Sequence, residues 1–439
     1  MTYAEAVGRL LALRGGEHAG MRPGLERIET LLDALGHPER RFALVQVGGT
    51  NGKGSVAVML ATILKDAGYR TGLYTSPHLV SFRERVRVNG EAIAEDAVAD
   101  GVDALATLIA RVDATMFEAT TALALDHFAR ESVDIAVLEV GLGGRLDATT
   151  VGHPAVTVLT PIGLDHQATL GATLGAIAAE KAAIIRSGVL VTAAQLPDAR
   201  VVIETRAAAA RVPVIAAGRD LHVTVRARSR DGQRIDCAGP DWRIDDVVLA
   251  LAGAYQPANA LLAVAAARQL GARDAAIRSA LARVSWPGRF QIIGTRPWLV
   301  ADGAHNIDGA RALAESLREL FPGEPLSLVC GLSSDKDASG ILGVLVPLAE
   351  RVVLTRSSNP RAASPEGLRA AMPSPAPPVA IAPDANASLA LVSRPPRAPV
   401  TCVAGSLYLV ADVLRALGGD REKPCSIEKP AASIEFLFS

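Results

Sequence analysis

Phe42-Ala43-Leu44-Val45-Gln46-Val47-Gly48-Gly49-Thr50-Asn51-Gly52-Lys53-Gly54-Ser55-Val56-Ala57-Val58-Met59-Leu60 is the stretch that decides the fold. An apolar segment from Phe42 to Val47 leads into a glycine-rich turn, and apolar residues at helical spacing follow to Leu64. Strand, turn and helix N-terminus in that order make a phosphate cradle: converging backbone N–H groups and the helix dipole favour anionic oxygens. Thr50, Asn51, Gly52 and Lys53 form the turn; Lys53 would reach terminal phosphates, and the Ser55 hydroxyl could hold a metal or a phosphate oxygen. A standard P-loop places Ser or Thr directly after the lysine, whereas Gly54 intervenes here and the loop is shorter. The competing reading is a glycine-rich turn with a surface lysine.

Working outward, Thr71–Tyr74, Ile135–Val140, Ala155–Thr160 and Val189–Ala193 read as further strands, most of them rich in β-branched residues. Ser55–Lys65, Ala94–Ala110, Thr120–Ala129 and Leu174–Ile185 carry the three-and-four spacing of helices between them. Such alternation predicts a mostly parallel sheet covered on both faces. Residues 219–250 look like antiparallel hairpins at one edge of it. Ser285-Trp286-Pro287-Gly288 breaks regular structure, and a second, smaller α/β pattern begins beyond it with strands at Trp298–Ala301, Leu326–Cys330, Val352–Thr355, Pro378–Ile381 and Val400–Val403. The tail 419–439 is polar, contains two prolines and reads as weakly ordered.

The chain has 439 residues, enough for two or three domains. It is 49% hydrophobic and 21% charged, with a formal net charge of −1, so no global basic field favours nucleic acid or an anionic membrane. Cys237, Cys330, Cys402 and Cys425 match no zinc spacing and suit a reducing compartment. No leader and no apolar run of about 20 residues is evident. These features lead us to expect a cytoplasmic protein.

In open α/β sheets ligands gather at the carboxyl ends of strands. Glu139 ends an apolar strand before Gly141-Leu142-Gly143-Gly144, where a carboxylate must be paired, metal-bound or bonded to the amides of that glycine loop. His166 follows the strand at 155–160; alone it reads as a loop histidine rather than a ligand. Ser76 follows the short strand Thr71–Tyr74 and alone reads as a turn residue. Glu180-Lys181 on a helix reads as a solvated charged pair.

Together these blocks spell more. Gly49–Ser55, Ser76–Leu79 with Glu84-Arg85, Phe117–Thr121, Glu139–Thr149, Asp165-His166, Glu180–Ile185, Gln256–Ala260, Pro287–Phe290, Asp302–Asn306 and Ala404-Gly405-Ser406 run in order over nearly the whole chain. The set resembles the folylpolyglutamate synthase/dihydrofolate synthase family (bifunctional bacterial type) of the Mur ligase superfamily. The resemblance implies an α/β fold with an N-terminal P-loop-type, mostly parallel sheet flanked by helices and a smaller C-terminal Rossmann-like α/β domain. Its domains would be 1–284 for ATP, a linker 285–294, and 295–418 for ligation.

It also implies residue roles. Ser76, Glu139 and His166 match magnesium ligands, and Thr50, Asn51, Gly52, Lys53, Gly54 and Ser55, with Asn259, Arg289 and Asp302, match the ATP site. Lys53, Lys181 and His305 match catalytic positions; Lys181 corresponds to a lysine that the family carbamylates, which needs a neutral amine. Met21, Arg22 and Pro23, then Phe117, Glu118, Ala119 and Thr120, then Leu146, Asp147 and Ala148 align with segments that hold dihydropteroate. Met-Arg-Pro departs from the acidic-apolar spelling of that first segment, and Ile307 stands where the family has proline. The implied reaction joins L-glutamate to a dihydropteroate or reduced-folate carboxylate at the expense of ATP, with Mg2+, through an acyl phosphate. A monomer without nucleic-acid or membrane partners is expected. The alternative is another Mur-like amino-acid ligase. A kinase or GTPase would need the standard loop spacing, and a GTPase an Asn-Lys-x-Asp motif, which is absent from the sequence.

Overall fold

The computed structural model describes residues 1–13, 22–295 and 297–418. Met21 and the tail 419–439 lie outside them. The chain divides into two compact units. The first holds Met1–Val225, Ile235–Val248 and Pro257–Val284; the second holds Arg226–Arg234, Leu249–Gln256 and the residues from Ser285 onward.

The first unit is built on an eight-stranded sheet of β1 (Ala43–Gly48), β2 (Thr71–Tyr74), β3 (Val86–Val88), β4 (Glu91–Ala92), β5 (Ile135–Glu139), β6 (Pro154–Leu159), β7 (Val189–Thr192) and β8 (Val214–Ala216). The order is β4-β3-β2-β5-β1-β6-β7-β8. From β2 to β8 every pairing is parallel, while β3 and β4 add an antiparallel edge. Alternate residues of the central strands serve opposite faces. Leu44, Ala136 and Leu138 enter a core with Phe128, Leu125 and Leu105 from the helices Met116–Arg130 and Glu95–Val112. The other face carries the helix Lys53–Asp66, which packs on β1, β2 and β5 and in turn beneath the helix Asp274–Leu281. Covered on both sides, it is apolar around nearly its whole circumference.

Residues 219–250 depart from the expectation of hairpins at the edge of this sheet. β9 (His222–Ser229), β10 (Gly232–Ala238) and β11 (Arg243–Leu249) form a separate three-stranded sheet in the order β11-β10-β9. β9 leaves most of its residues exposed. A strand continuing the doubly covered sheet would need two apolar faces.

The second unit carries β12 (Gln291–Thr295), β13 (Trp298–Asp302), β14 (Leu326–Cys330), β15 (Arg351–Leu354), β16 (Val379–Ile381) and β17 (Val400–Ala404) in the order β12-β13-β17-β14-β15-β16. All pairings are parallel except that of β12 with β13. The helices Ile307–Leu320 and Ala338–Leu345 share one core with this sheet, and Ala385–Val392 and Leu407–Gly418 share another. Among the described residues no helix is long and apolar enough to cross a membrane.

Candidate active site

Parallel pairing of β2, β5, β1 and β6 brings four strand ends side by side: Ser76 beyond β2, Glu139 closing β5, the 49–53 turn beyond β1, and residues 160–166 beyond β6. The turn is stitched to the last of these. Thr50 N–H donates to Pro161 O at 2.9 Å, and its hydroxyl donates to Gly163 O at 3.2 Å and accepts from Gly163 N at 3.1 Å. Gly49 has φ +132°, and a Cβ there would collide with Thr160 Oγ1 and stand 2.8 Å from Thr160 O. Gly52, with φ +92°, caps the helix, and a Cβ there would lie 2.5 Å from Asn259 Oδ1. Asn259, buried on the helix Gln256–Gln269, therefore lies against the phosphate turn. Ser55 is buried in the first turn of its helix.

Lys53 Nζ donates to Gly49 O at 3.3 Å and Thr50 O at 3.1 Å. Lys181 Nζ donates to Gly49 O at 2.9 Å. Lys181 is 4% exposed, so it is no surface partner of Glu180, whose carboxylate pairs with Arg145 at 2.9 Å instead. Burial, reinforced by the Lys53 charge, pulls the Lys181 amine down to about 7.

Glu139 Oε2 accepts from Ser76 N–H at 3.2 Å, which fixes the carboxylate beside the serine. The glycine-loop amide of Leu142 goes to Asp147 Oδ2 at 2.8 Å. The Ser76 loop is held from below by Glu84, whose carboxylate accepts from the amides of Leu79, Val80 and Ser81 at 2.8, 3.0 and 2.8 Å. Arg85 Nε donates to His78 Nδ1 at 2.9 Å. His166 starts a short helix at φ 52°, half-exposed, with its ring Nε2 3.9 Å from Asp165 Oδ2. Among the described residues no group of three or more His, Cys, Asp or Glu is placed to hold a metal ion. The oxygen donors Ser76 and Glu139 nevertheless fit a hard cation that keeps water and phosphate as its remaining ligands.

The segments aligned with dihydropteroate surround the helix Met116–Arg130. Phe117, half-buried, has its ring 6.0 Å from that of Tyr74. Glu118 is buried as part of a capping box with Thr115 and pairs with Arg27 at 2.8 Å. Ala119 and Thr120 are buried, and the Thr120 hydroxyl donates to Met116 O at 2.7 Å. Asp147 is buried and accepts from Leu142 N, Thr149 N and the Thr149 hydroxyl, while burial raises its carboxyl pKa. Leu146 is half-buried and Ala148 buried. Phe117 and Leu146 thus offer accessible surface, and Glu118 and Asp147 hold the backbone behind them. Arg22 donates to Asp113 O at 2.9 Å, and Arg27 Nη2 donates to Arg22 O at 2.8 Å, so Arg27 ties residue 22 to the helix that bears Phe117. Pro23 follows this tie, exposed or half-exposed with its neighbours. Sequence reasoning missed Arg27, whose partner Glu118 lies 91 residues further along the chain.

In the second unit Arg289, Asp302 and His305 come together. Asp302 ends β13 and accepts from Phe290 N, Ala304 N and the Tyr255 hydroxyl, each at 2.7 Å. His305 Nδ1 lies 2.8 Å from Gly303 O, and Arg289 donates to Gly288 O at 3.2 Å. The helix beginning at Ile307 is capped by Asn306, whose Oδ1 accepts from Gly309 N at 2.8 Å, so proline is not needed to start it.

Residues 47–267 match the Mur ligase middle domain, and residues 288–407 the glutamate ligase domain of Mur ligases. The chain is 33% identical over 416 residues to the dihydrofolate synthase/folylpolyglutamate synthase of Bacillus subtilis, covering 91% of this chain and 96% of that one. The chain belongs to the folylpolyglutamate synthase/dihydrofolate synthase family of Mur ligases. Another family relative, a probable bifunctional folylpolyglutamate synthase/dihydropteroate synthase of Haloferax volcanii, is 38% identical over 94% of this chain, which spans about half of that relative's length (50%). The structure of a Mycobacterium tuberculosis folylpolyglutamate synthase complexed with ADP superposes with a TM-score of 0.88 at 33% identity, covering 95% of this chain and 99% of that one. In this member of the family the middle-domain match begins at the phosphate turn and ends just beyond Asn259, and the glutamate-ligase match opens at the Gly288–Arg289 corner.

Proposed function

We propose that this Mur ligase adds L-glutamate to the carboxylate of a reduced folate, of dihydropteroate, or of both, at the expense of ATP. One observation carries the reading: a phosphate turn with two lysines on one carbonyl stands beside the Ser76–Glu139 pair at a single sheet edge. The ADP complex of the M. tuberculosis relative and the activities named for the B. subtilis relative support it.

A carboxylate is a poor electrophile near neutral pH. Transfer of the terminal phosphoryl group of ATP to it gives an acyl phosphate, which the glutamate amine attacks with loss of phosphate. The amide N–H groups of Asn51 to Lys53 and the Lys53 ammonium offset charge on the phosphates, while Thr50, bonded to Pro161 and Gly163, fixes the turn and Asn259 supports it from behind. Arg289 and His305, held by the Asp302 corner, are assigned to the nucleotide and acyl-phosphate side. Ser76 and Glu139, with His166 from the neighbouring loop, would hold Mg2+, which supplies charge neutralisation when bound. Lys181, neutral for much of the time near pH 7, is in the form that takes up carbon dioxide as a carbamate. Phe117 and Leu146 are assigned to the flat pterin. We place the enzyme as a cytoplasmic monomer, with domains 1–284 and 295–418 joined by 285–294.

The test is direct. The protein is incubated with ATP, Mg2+ and glutamate, with dihydropteroate and tetrahydrofolate offered separately, and products are read by mass. A mass gain of one glutamyl residue on either supports the reading and assigns the acceptor; none on both overturns it.

A further inference from the structure

We propose that Tyr255 and Asp302 are positioning residues that hold Arg289 and His305 in register for the nucleotide, an inference that rests on the ATP reading above. Asp302 is only 3% exposed. Its Oδ2 accepts from Phe290 N–H, the residue after Arg289, and its Oδ1 from Ala304 N–H, the residue before His305. One carboxylate thereby ties together the two backbone segments that present the two cationic side chains. Gly303 N–H donates to Gly288 O at 2.9 Å and doubles the tie. Three protein donors on a carboxylate with about four acceptor sites fix its orientation.

Tyr255 supplies the side-chain donor of this set, 2.7 Å from Oδ2. It is buried, and burial together with the Asp302 charge keeps its phenol protonated far into the alkaline range. Burial raises the Asp302 carboxyl, and the Tyr255 hydroxyl is the first of the contacts that counter it, followed by the Arg289 charge and the two amides. Without the phenol a buried carboxylate loses a donor that water cannot replace, and the corner relaxes.

A double-mutant cycle on the full chain tests this, with Tyr255→Phe, Arg289→Ala and the pair, read by ATP titration calorimetry, by ligation kinetics and by thermal unfolding. Tyr255→Phe is expected to weaken ATP binding about tenfold. The same change made on top of Arg289→Ala should cost clearly less, about threefold, because one of the two groups it positions is gone. Equal factors in both backgrounds, or no change from Tyr255→Phe alone, would overturn the inference. Asp302→Asn, which keeps shape and loses charge, repeats the cycle if Tyr255→Phe does not fold. Wild-type protein that fails to bind ATP removes the ATP reading and this inference with it; wild-type protein that binds ATP but gives an additive cycle removes this inference alone.

Discussion

Lys53 and Lys181 donate to the same oxygen, the carbonyl of Gly49, at 3.3 and 2.9 Å. Burial first, and the neighbouring Lys53 charge second, bring the Lys181 pKa down to about 7. Below pH 7 Lys181 is charged in both folded and unfolded chains, and folding bears the full cost of burying that charge. Between about 7 and 10.5 the unfolded chain still binds the proton and the folded chain does not, so stability rises with pH. Above that range neither is charged. Lys181→Met, which leaves Gly49 O with its Lys53 donor, is therefore expected to be more stable than wild type by roughly 2–4 kcal/mol at pH 6, the gap closing toward pH 10. Urea unfolding at pH 6 and pH 9.5 checks it; a gap that widened with pH would refute the assignment.

Lys53 makes its contacts to loop carbonyls and is half-buried at the helix start. Lys53→Ala is expected to lower the ligation rate by about 10²–10³ through loss of transition-state charge stabilisation, while the unfolding midpoint moves little. Near-normal ligation by this variant would remove the lysine from the phosphate site.

Gly49 shows how sterics shape the turn. At φ +132° and packed on the Thr160 backbone, it has no room for a methyl group. Gly49→Ala is expected to cost about 2–4 kcal/mol of stability and to abolish ATP binding at millimolar nucleotide. Calorimetric titration together with denaturant unfolding separates the two effects. A variant that binds ATP normally would show that the turn has another conformation available.

Much of this architecture was written locally. Phe42–Val47 and Ile135–Val140 could be placed within a residue or so because a doubly covered parallel strand is apolar along most of its length, as β1 and β5 are apart from Gln46 and Glu139. The glycines of the turn announced a phosphate cradle because few other uses explain them beside a helix start. What stayed hidden was long-range. Nothing near Tyr255 in sequence points to Asp302, and nothing near Arg27 points to Glu118. The same limit applied to Glu118, Ala119 and Thr120: a motif shows which residues lie near a site, whereas the capping box and core decide which of them face it. β9 misled for a different reason, since alternation fixes that a strand exists and leaves its sheet open.

Glu84 anchors the loop that carries Ser76. Its carboxylate is the common acceptor for the amides of Leu79, Val80 and Ser81, the descending side of the loop that carries Ser76. Two oxygens serve three donors: Oε1 takes Val80 and Ser81, and Oε2 takes Leu79. Glutamine keeps the shape but turns one of those oxygens into an NH2 group, which would face an amide N–H donor to donor. Glu84→Gln is therefore expected to cost about 1–3 kcal/mol, the penalty for leaving partly buried amides unmatched next to a lost charge-assisted bond. Because the loop also positions Ser76 against Glu139, the magnesium concentration needed for half-maximal ligation should rise several-fold in the same variant. Glu84→Asp, one methylene shorter, retains the charge but not the reach and should fall between the two. Magnesium titrations of ligation, run beside urea unfolding of the three proteins, give both readouts. A stability loss with an unchanged magnesium requirement would confine Glu84 to folding and detach the Ser76 loop from the metal.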